Sequence, residues 1–395
     1  MTIHDRIRLT ASFPLLGDQK LRWRFYLLEF SIYIPLAFFT FIGNYFNQLH
    51  FSDFQNGLIG SSSAIVLLLS NPFWMHFADK RVKNGVLTFL AFASAILIWS
   101  VYTFKTFWFV LPIVFTVGFL WTSIVPLAES ISTVHSEEQG FSFGKARMMG
   151  SIGFAAAILI MGYVKSNTLF FLIGSISFAL IGVVSFFIPK TKGFNVGKEM
   201  HFSFGNLPAP FYRMLVLETL VLSSNAFGLY FLPILMRARG YSVSFAGVAT
   251  AIQALVEIPF LFFADRIVKF LGVKRLLVIA SVGFGIRWIL TGAFDNLILM
   301  VAVQAFEFFN WIAIYYAILH YVNFNIKPSL RSNAQTIFWM TTSGFSMIFG
   351  LIMGGWMANT FGVKNGYLFF GIMSISTAVF YGIFEHSTDV AAEKR

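Results

Sequence analysis

Apolar runs of about 20 residues recur along the chain, and each is long enough to cross about 30 Å of hydrocarbon as a helix. Short polar or Pro/Gly-containing breaks separate these runs. With 57% hydrophobic and 11% charged residues, the composition excludes the soluble classes of protein. The sequence therefore predicts an all-α polytopic membrane protein in contact with the lipid bilayer.

Run length and punctuation predict twelve transmembrane spans. Spans 1 to 6 are expected at 24–47, 54–77, 85–104, 107–129, 144–164 and 169–189, and spans 7 to 12 at 212–236, 243–264, 275–294, 297–322, 334–357 and 365–384. The longest polar break follows span 6 and contains three lysines and several glycines. We therefore predict an N-terminal six-helix half at 1–189, a cytoplasmic linker at 190–211 and a C-terminal six-helix half at 212–395.

A motif repeats six spans apart. Residues 72–80 (PFWMHFADK) close span 2, and residues 259–266 (PFLFFADR) close span 8. Because six is even, both copies emerge on the same side of a bilayer, as in two parallel halves related by an axis along the membrane normal. This pseudo-symmetric arrangement is typical of transporters.

Other pairs of positions extend the repeat. Glu29 in span 1 and Glu218 in span 7 each follow a leucine and precede an Ala-Phe pair at the same separation. Trp121 in span 4 corresponds to Trp311 in span 10. Agreement in several span pairs at once indicates duplication of a six-helix unit.

Basic residues indicate the orientation. They cluster before span 1 and in the loops after even-numbered spans, whereas the other side carries only Lys105, Lys165, Arg237, Arg239 and Lys364. By the positive-inside rule, both termini are expected in the cytoplasm. The net charge of +11 is explained by Lys and Arg residues in the loops that flank the spans, and no nucleic-acid partner is predicted.

Several function classes lack their signatures. The chain has no cysteine, which excludes disulfides, Cys-ligated zinc and thiol catalysis. No Walker-type phosphate loop, His-x-x-x-His metal spacing or nucleophile-elbow context occurs. We predict no enzyme activity, no metal and no cofactor.

The loop after span 2, residues 76–85 (HFADKRVKNG), resembles the conserved loop of the major facilitator superfamily, although its usual leading glycine is replaced. The resemblance implies the major facilitator fold and a gating role for charges at the helix ends. The predicted gating residues are Asp79, Lys80, Arg81, Asp265 and Arg266, whose ion pairs would break when the halves rock. The alternative is that they are ordinary loop charges.

Three further stretches resemble one branch of that superfamily: 144–154 (GKARMMGSIGF), 256–259 (VEIP) and 331–335 (RSNAQ). This branch contains lactose permease, nucleoside:proton symporters and 3-phenylpropionate-type permeases. The resemblance implies symport across a bacterial inner membrane, with coupling residues on spans 9 and 10. The resemblance does not identify the substrate.

Ionisable residues inside the spans are the candidates for the transport chemistry. A charge in hydrocarbon costs at least about 2.5 to 3.5 kcal/mol and is retained mainly when it is paired or lines water. Those within the spans are Glu29, Glu129, Arg147, Glu218, Glu257, Arg287 and Glu307.

Arg287 and Glu307 are predicted to carry proton coupling. They lie about twelve and about ten residues into spans 9 and 10, which at about 1.5 Å per residue places both near the midplane. Arginine keeps its proton, whereas a carboxylate takes up a proton more readily once its cationic partner moves away. Glu257, two residues before Pro259, is predicted as a second proton site or an inter-helix hydrogen bond. A static Arg287–Glu307 pair is the alternative.

Glu129 and Arg147 lie 18 residues apart across the turn between spans 4 and 5, a spacing also found for the sugar-holding pair of lactose permease. They are predicted to clamp substrate, or alternatively to form a snorkelling surface pair. Glu29 and Glu218 are predicted cavity residues, with helix-end solvation as the alternative. The remaining predicted substrate-binding residues are Tyr33, Asn44, Trp121, Asn225, Gln253, Gln304 and Trp311.

These features together predict a secondary active transporter that couples protons to uptake of a small organic solute by alternating access. Its partners are the substrate, protons and lipid, and we expect a monomer. Proton-driven efflux of an amphipathic compound and a non-transporting membrane sensor are the alternatives. Sugar, nucleoside and aromatic acid remain open as substrates.

Overall fold

A computed structural model describes residues 16–139, 141, 143–192 and 207–393 of the chain, and this part is almost entirely helical. Spans 1 to 6 comprise Leu16–Ile32 with Ile34–Gln48, Asp53–Asp79, Lys83–Thr103, Phe107–Trp121 with Ile124–Gln139, Phe143–Tyr163 and Asn167–Phe186. Spans 7 to 9 comprise Ala209–Ala238 and the two parts of Ser244–Ala293. Spans 10 to 12 comprise Leu297–Ala302 with Val303–Phe309 and Trp311–Asn325, Pro328–Met340 with Thr341–Phe345 and Ser346–Phe361, and Val363–Glu393.

Gly272 separates spans 8 and 9. Its φ of +74° interrupts an otherwise continuous helical segment, and glycine adopts this backbone conformation without a Cβ penalty. Eleven helices of the described chain are long and apolar enough to cross a bilayer, and the apolar helix Ser244–Phe260 belongs to the remaining span. The predicted all-α fold of twelve transmembrane helices in two six-helix halves is confirmed. The limits of the linker at 190–211 stay a prediction, since 193–206 lie outside the described residues.

The loops divide between two faces of the bundle. Those after even-numbered spans, which carry the basic clusters, lie on one side, called here the basic face. Those after odd-numbered spans lie on the opposite face. This assignment follows from the alternating direction of successive spans.

Four spans are interrupted inside the bundle. Span 1 breaks at Tyr33, just before a proline in the first turn of Ile34–Gln48, and span 4 breaks at Thr122 and Ser123. Span 10 tightens into a 3₁₀ helix over Val303–Phe309, and span 11 widens into a π helix over Thr341–Phe345. Irregular backbone at membrane depth is tolerated only where protein or a water-lined cavity surrounds it. These interruptions therefore mark the centre of the bundle as the place to look for a site.

Glycines bring the two halves into backbone contact near the opposite face. A Cβ added to Gly57 of span 2 would lie 2.2 Å from the Leu351 carbonyl oxygen of span 11 and 3.0 Å from the Gly355 Cα. A Cβ on Gly162 of span 5 would lie 3.3 Å from the Gly247 Cα of span 8. Because no larger side chain fits between these backbones, the halves are sealed together at this face.

An aromatic side chain completes the seal. The ring of Tyr230 in span 7 lies against Gly43 of span 1 and Gly60 of span 2, where an added Cβ would come within 2.7 and 3.0 Å of it. Tyr230 is 8% exposed, and its hydroxyl has no hydrogen-bond partner. The packing of this ring across the halves depends on the absence of side chains at both glycines.

Arg239 fixes the end of span 9 at the same face. Its guanidinium donates to the carbonyls of Thr291 at 2.8 Å, Gly292 at 2.6 Å and Phe294 at 2.9 Å, and its Nε lies 2.7 Å from Asp295 Oδ1. These are carbonyls that the end of a helix leaves without intrahelical donors. The cap holds span 9, which carries Arg287, in a defined position within its half.

We expect Gly162→Leu to separate the halves at the opposite face, because the new side chain must occupy space now filled by span 8. Spin labels at Lys165→Cys and Lys364→Cys, two exposed positions in different halves, measure this separation by electron–electron distance in a chain without native cysteine. A longer mean distance is expected. Gly85→Leu is the matched control, since a Cβ at Gly85 meets nothing within 4 Å. An equal distance in both variants contradicts the seal.

Candidate functional site

A buried ion pair lies between spans 9 and 10. Arg287 is fully buried, and its Nη1 donates to Glu307 Oε2, which belongs to a residue 3% exposed. The guanidinium also lies 4.1 Å from the ring centroid of Trp288, a cation–π contact that helps to hold a cation away from water. The structure thus brings together the two residues predicted to carry proton coupling.

Two glutamines extend this pair into a network. Gln304 Oε1 accepts from Arg287 Nε at 2.9 Å and from Gln253 Nε2 at 2.8 Å. Gln304 Nε2 donates to Thr291 Oγ1 at 3.0 Å and to the Met300 carbonyl at 2.9 Å. Both glutamines were predicted as substrate ligands. Instead, the side-chain amide of Gln304 bonds to Arg287 of the ion pair, and that of Gln253 bonds to Gln304. Thr291 is a member that the sequence did not single out.

The backbone of span 10 is irregular where it supplies this network. Gln304 and Glu307 lie on the 3₁₀ segment, and the following residue, Asn310, has φ −101° and ψ −94°. A 3₁₀ stretch inside a helix often marks a hinge. Both side-chain polar atoms of the buried Asn310 lack hydrogen-bond partners, as does Arg287 Nη2. The ion pair therefore lies beside an irregular turn with unused hydrogen-bonding groups.

A second charged cluster joins spans 1, 4 and 5. Arg147 Nε lies 3.0 Å from Glu129 Oε1, and the Tyr33 hydroxyl donates to the same oxygen at 2.6 Å. The Arg147 guanidinium also stacks 4.1 Å from the centroid of the Tyr33 ring. Side-chain exposures of 38% for Arg147 and 30% for Glu129 leave this cluster open to water.

Glycines in residues 144–154 explain the close approach behind this cluster. A Cβ on Gly150 would lie 2.4 Å from the Tyr33 ring, and one on Gly153 would lie 2.2 Å from the Phe30 carbonyl oxygen. Span 5 can therefore pack directly on span 1, which brings Arg147 to Tyr33. The motif that carried the family resemblance has a packing role here.

Glu257 of span 8 faces both charged clusters. Arg287 and Arg147 are the two charged groups that act on it. Its side chain is half-buried, and it makes no hydrogen bond or ion pair with the residues that the structure describes. Glu257 is therefore an acid on which a charge of each cluster acts, without a direct contact to either.

Stacked aromatic rings stand in both halves at repeated positions. Trp121 stacks on Phe39 with centroids 4.2 Å apart and planes at 12°, and Trp311 stacks on Tyr315 at 5.3 Å and 10°. Trp121 and Trp311 are both half-buried, and Trp121 Nε1 has no hydrogen-bond partner. Tyr315 acts electrostatically on Arg147 from the other half, so this aromatic pair lies towards the Tyr33 cluster.

The two acids related by the sequence repeat have different surroundings. Glu29 is fully buried beside Ser132 of span 4, yet neither carboxylate oxygen meets the geometry of a hydrogen bond. Glu218 is also fully buried, but it accepts from Thr341 Oγ1 at 2.8 Å and contacts Thr342 Oγ1. Both threonines belong to the π segment of span 11, which sequence reasoning did not identify.

Asn44 and Asn225, predicted as substrate ligands, are half-buried, and each has a side-chain oxygen without a partner. They lie on spans 1 and 7, which contact each other across the halves. The side-chain amide oxygens of both residues can therefore accept a hydrogen bond at this contact between the halves. The structure places them near the bundle axis but joins them to neither charged cluster.

The predicted gating residues find partners within their own halves. Asp79 lies 3.4 Å from Lys83 Nζ, which also donates to Ser130 Oγ of span 4 at 3.3 Å. Asp265 accepts from the Tyr316 hydroxyl of span 10. Arg81 lies over the ring of Phe77 at 4.2 Å, and Lys80 and Arg266 are exposed. In the described part of the chain, these acids tie loops to neighbouring spans of one half.

Comparison with known proteins places this architecture. The model of the MFS_1 like family matches residues 23–369. The maltose permease of Geobacillus stearothermophilus is 25% identical over 334 residues, which cover 81% of this chain and 82% of that protein. The xanthosine permease of Escherichia coli K12 is 22% identical over 359 residues, which cover 82% and 84%.

Among solved structures, a point variant of the nucleoside transporter NupG superposes with a TM-score of 0.82 at 18% identity and covers 91% of this chain and 98% of its own. This likeness supports the twelve-helix fold. The family match covers most of the sequence, which confirms the resemblance read from the loop after span 2. The chain therefore belongs to the MFS_1 like family of the major facilitator superfamily and is a multi-pass membrane transporter of a small molecule, not an enzyme.

Proposed function

We propose that this transporter is a proton-coupled symporter of a sugar-bearing solute, working by alternating access between its halves. The observation that carries the proposal is the Arg287–Glu307 ion pair, buried beside the irregular turn of span 10. Ion pairs at this depth are costly and are retained mainly where transport needs them. Glu257 faces both this pair and the water-accessible Arg147–Glu129 pair.

Glu307 is the group proposed to take up the transported proton. Arginine keeps its proton in proteins, so a proton on Glu307 leaves the Arg287 guanidinium without its anion. Glu257 is then the available partner, because Arg287 already acts on it and Nη2 of Arg287 is unused. Movement of the guanidinium towards Glu257 shifts span 9 against the 3₁₀ turn of span 10.

The proposed substrate follows from the chemistry of the cluster in spans 1, 4 and 5. An arginine–carboxylate pair offers donors and acceptors side by side, which suits neighbouring hydroxyls of a sugar ring. The stacked rings at Trp121 and Trp311 offer flat apolar surfaces for the face of a sugar or a base. The similar permeases named for maltose and for xanthosine both handle solutes that contain a sugar ring.

The proposed orientation places the basic face in the cytoplasm of a bacterial cell, with both termini on that side. With this orientation, the glycine seal closes the outer side, which supports an inward-facing state as the proposed reading. The Asp79 and Asp265 contacts within each half fit a state in which the halves have separated at the cytoplasmic side.

We expect Glu307→Gln to abolish uphill accumulation while leaving counterflow exchange, because the amide can hydrogen-bond Arg287 but cannot carry a proton. Radiolabelled xanthosine uptake into proteoliposomes, with and without an imposed pH gradient, measures both activities. Lys165→Gln is the control, since it removes a charge at an exposed position on the opposite face, outside the interior network. Full accumulation by Glu307→Gln eliminates Glu307 as the coupling acid.

We expect Arg147→Lys to weaken substrate binding although the charge is kept, because lysine cannot reproduce the planar fork of the guanidinium. Loss of one charge-assisted hydrogen bond, worth about 1.5 to 3 kcal/mol, corresponds to roughly a ten- to hundredfold weaker affinity. Binding of xanthosine and of maltose to the purified protein is measured by thermal shift and equilibrium binding.

Lys165→Gln, at an exposed position on the opposite face, is the control for the Arg147 experiment. It removes a charge without touching the cluster, so its affinity is expected to equal that of the wild type. Unchanged affinity in Arg147→Lys contradicts the clamp. Tighter binding of 3-phenylpropionate than of either sugar-bearing solute contradicts the substrate class.

A further inference from the structure

A fully buried acid lies outside both charged clusters. Glu218 of span 7 faces the π segment of span 11, where Thr341 Oγ1 lies 2.8 Å from Glu218 Oε2 and Thr342 Oγ1 contacts Glu218 Oε1. These two hydroxyls are the groups that act on the carboxyl. No arginine or lysine of the described chain pairs with it.

The contacts around the Glu218 carboxyl need more hydrogen-bond protons than the two threonine hydroxyls supply. Thr341 Oγ1 and Thr342 Oγ1 each lie 2.8 Å from the Phe338 carbonyl oxygen as well as close to Glu218. Four oxygen–oxygen contacts no longer than 2.8 Å therefore share only two hydroxyl protons, and a fifth, from Thr341 Oγ1 to the Ile337 carbonyl oxygen, is longer at 3.3 Å. A proton on Glu218 satisfies a third contact, whereas an ionised carboxylate leaves two pairs of acceptors facing each other.

The ionisable groups on the neighbouring helices interact with residues other than Glu218. On the spans packed against span 7, Glu29, Tyr33 and Tyr315 act with Arg147, and Glu257, Glu307 and Tyr367 act with Arg287. Tyr316 donates to Asp265 and Arg331 to the Ile326 carbonyl, and neither they nor His320, Tyr321 and Tyr381 bond to Glu218. None of them supplies the counter-charge that an ionised Glu218 needs in a dry interior. The uncharged form of the acid is the one that fits this environment.

We propose that Glu218 is a second proton-binding site, separate from the Arg287–Glu307 pair, and that its proton holds the π turn of span 11. With the proton bound, Glu218 donates to one threonine hydroxyl, and both hydroxyls donate to the Phe338 carbonyl. When the proton leaves to water, both hydroxyls turn to the carboxylate, and the Phe338 carbonyl loses its side-chain donors.

The π turn is placed to transmit this change to the seal between the halves. Hydroxyls that bond back to a carbonyl one turn earlier bend helices, so their release favours a regular helix. Beyond the turn, Gly350 packs on the Ser223 carbonyl of span 7 and Gly355 packs on Gly57 of span 2. A change of helical register at Thr341–Phe345 therefore rotates the part of span 11 that seals the opposite face.

The proton itself is tested without any substrate. Infrared spectra of the protein in lipid, titrated with pH, report the carbonyl stretch of protonated carboxyl groups. We expect one component of this band to be lost in Glu218→Gln and kept in Glu307→Gln. An unchanged band in Glu218→Gln overturns the proposal, and loss of the component on addition of Na⁺ at constant pH also overturns it in favour of a sodium site.

The link to the seal is tested with the spin labels at Lys165→Cys and Lys364→Cys. Wild type is expected to lengthen the inter-label distance as the pH rises, whereas Glu218→Gln, which resembles the protonated acid, stays at the short distance. The double variant Thr341→Val/Thr342→Val is expected to lose the pH response while keeping the Glu218 band. The same pH response in Glu218→Gln as in wild type overturns the proposal.

The proton site at Glu218 does not depend on the proposed transport function; only its role in transport rests on that proposal. Different results contradict the two proposals. If Glu307→Gln accumulates substrate fully while the infrared component still follows Glu218, the proposed coupling at Glu307 fails and the second site stands. Thermal melting and size-exclusion profiles equal to those of wild type establish that each variant is folded before these comparisons are made.

Discussion

The buried contact between Arg287 and Glu307 is the interaction on which the interior of this protein depends. Removing a guanidinium from water is costly unless its hydrogen-bond donors are satisfied. Glu307, Gln304 and the ring of Trp288 meet most of that requirement, and Gln304 and Glu307 reach the one guanidinium from the 3₁₀ turn of span 10. The irregular backbone and the charge pair therefore support each other, and neither is stable in this form alone.

Close helix packing is the second constraint, and it is met by glycine. Larger residues would keep span 2 from span 11 and span 5 from span 8, and the two halves would not seal at the opposite face. In a bilayer, helices gain little from hydrophobic association, so close van der Waals contact through small residues carries the interface. An interface of this kind separates without exposing large apolar surfaces to water, which suits halves that rock.

The repeat and the apolar runs were sufficient to predict the architecture, because bilayer thickness and charge bias act on each span independently of its neighbours. Span 7, predicted at 212–236, is found at Ala209–Ala238. The pairing of Arg287 with Glu307 also followed from depth alone, since spans 9 and 10 are adjacent and antiparallel.

Features that depend on contacts between distant spans could not be predicted in this way. The 3₁₀ turn of span 10 has no local signal, since Val303–Phe309 contains neither proline nor a polar run. The hydroxyl residues and glycine of Thr341–Phe345 are a local signal for an irregular helix in span 11, but they do not identify Glu218 as the partner. Glu29 and Glu218 occupy equivalent positions in the repeat, yet Ser132 faces one and two threonines face the other. Side-chain partners across the bundle thus differ between equivalent positions of the repeat, while the helical scaffold is shared.

The two ion pairs, Arg147–Glu129 and Arg287–Glu307, also differ in their access to water. The pair in the N-terminal half keeps about a third of its surface exposed, so its hydrogen bonds can exchange with those of a solute at little electrostatic cost. The pair in the C-terminal half is dry, so a single proton changes its energy strongly. Arg287 of the dry pair and Arg147 of the wet pair both act on Glu257. A repeated fold with one wet and one dry pair thus contains the asymmetry that the proposed coupling of a solute to a proton requires.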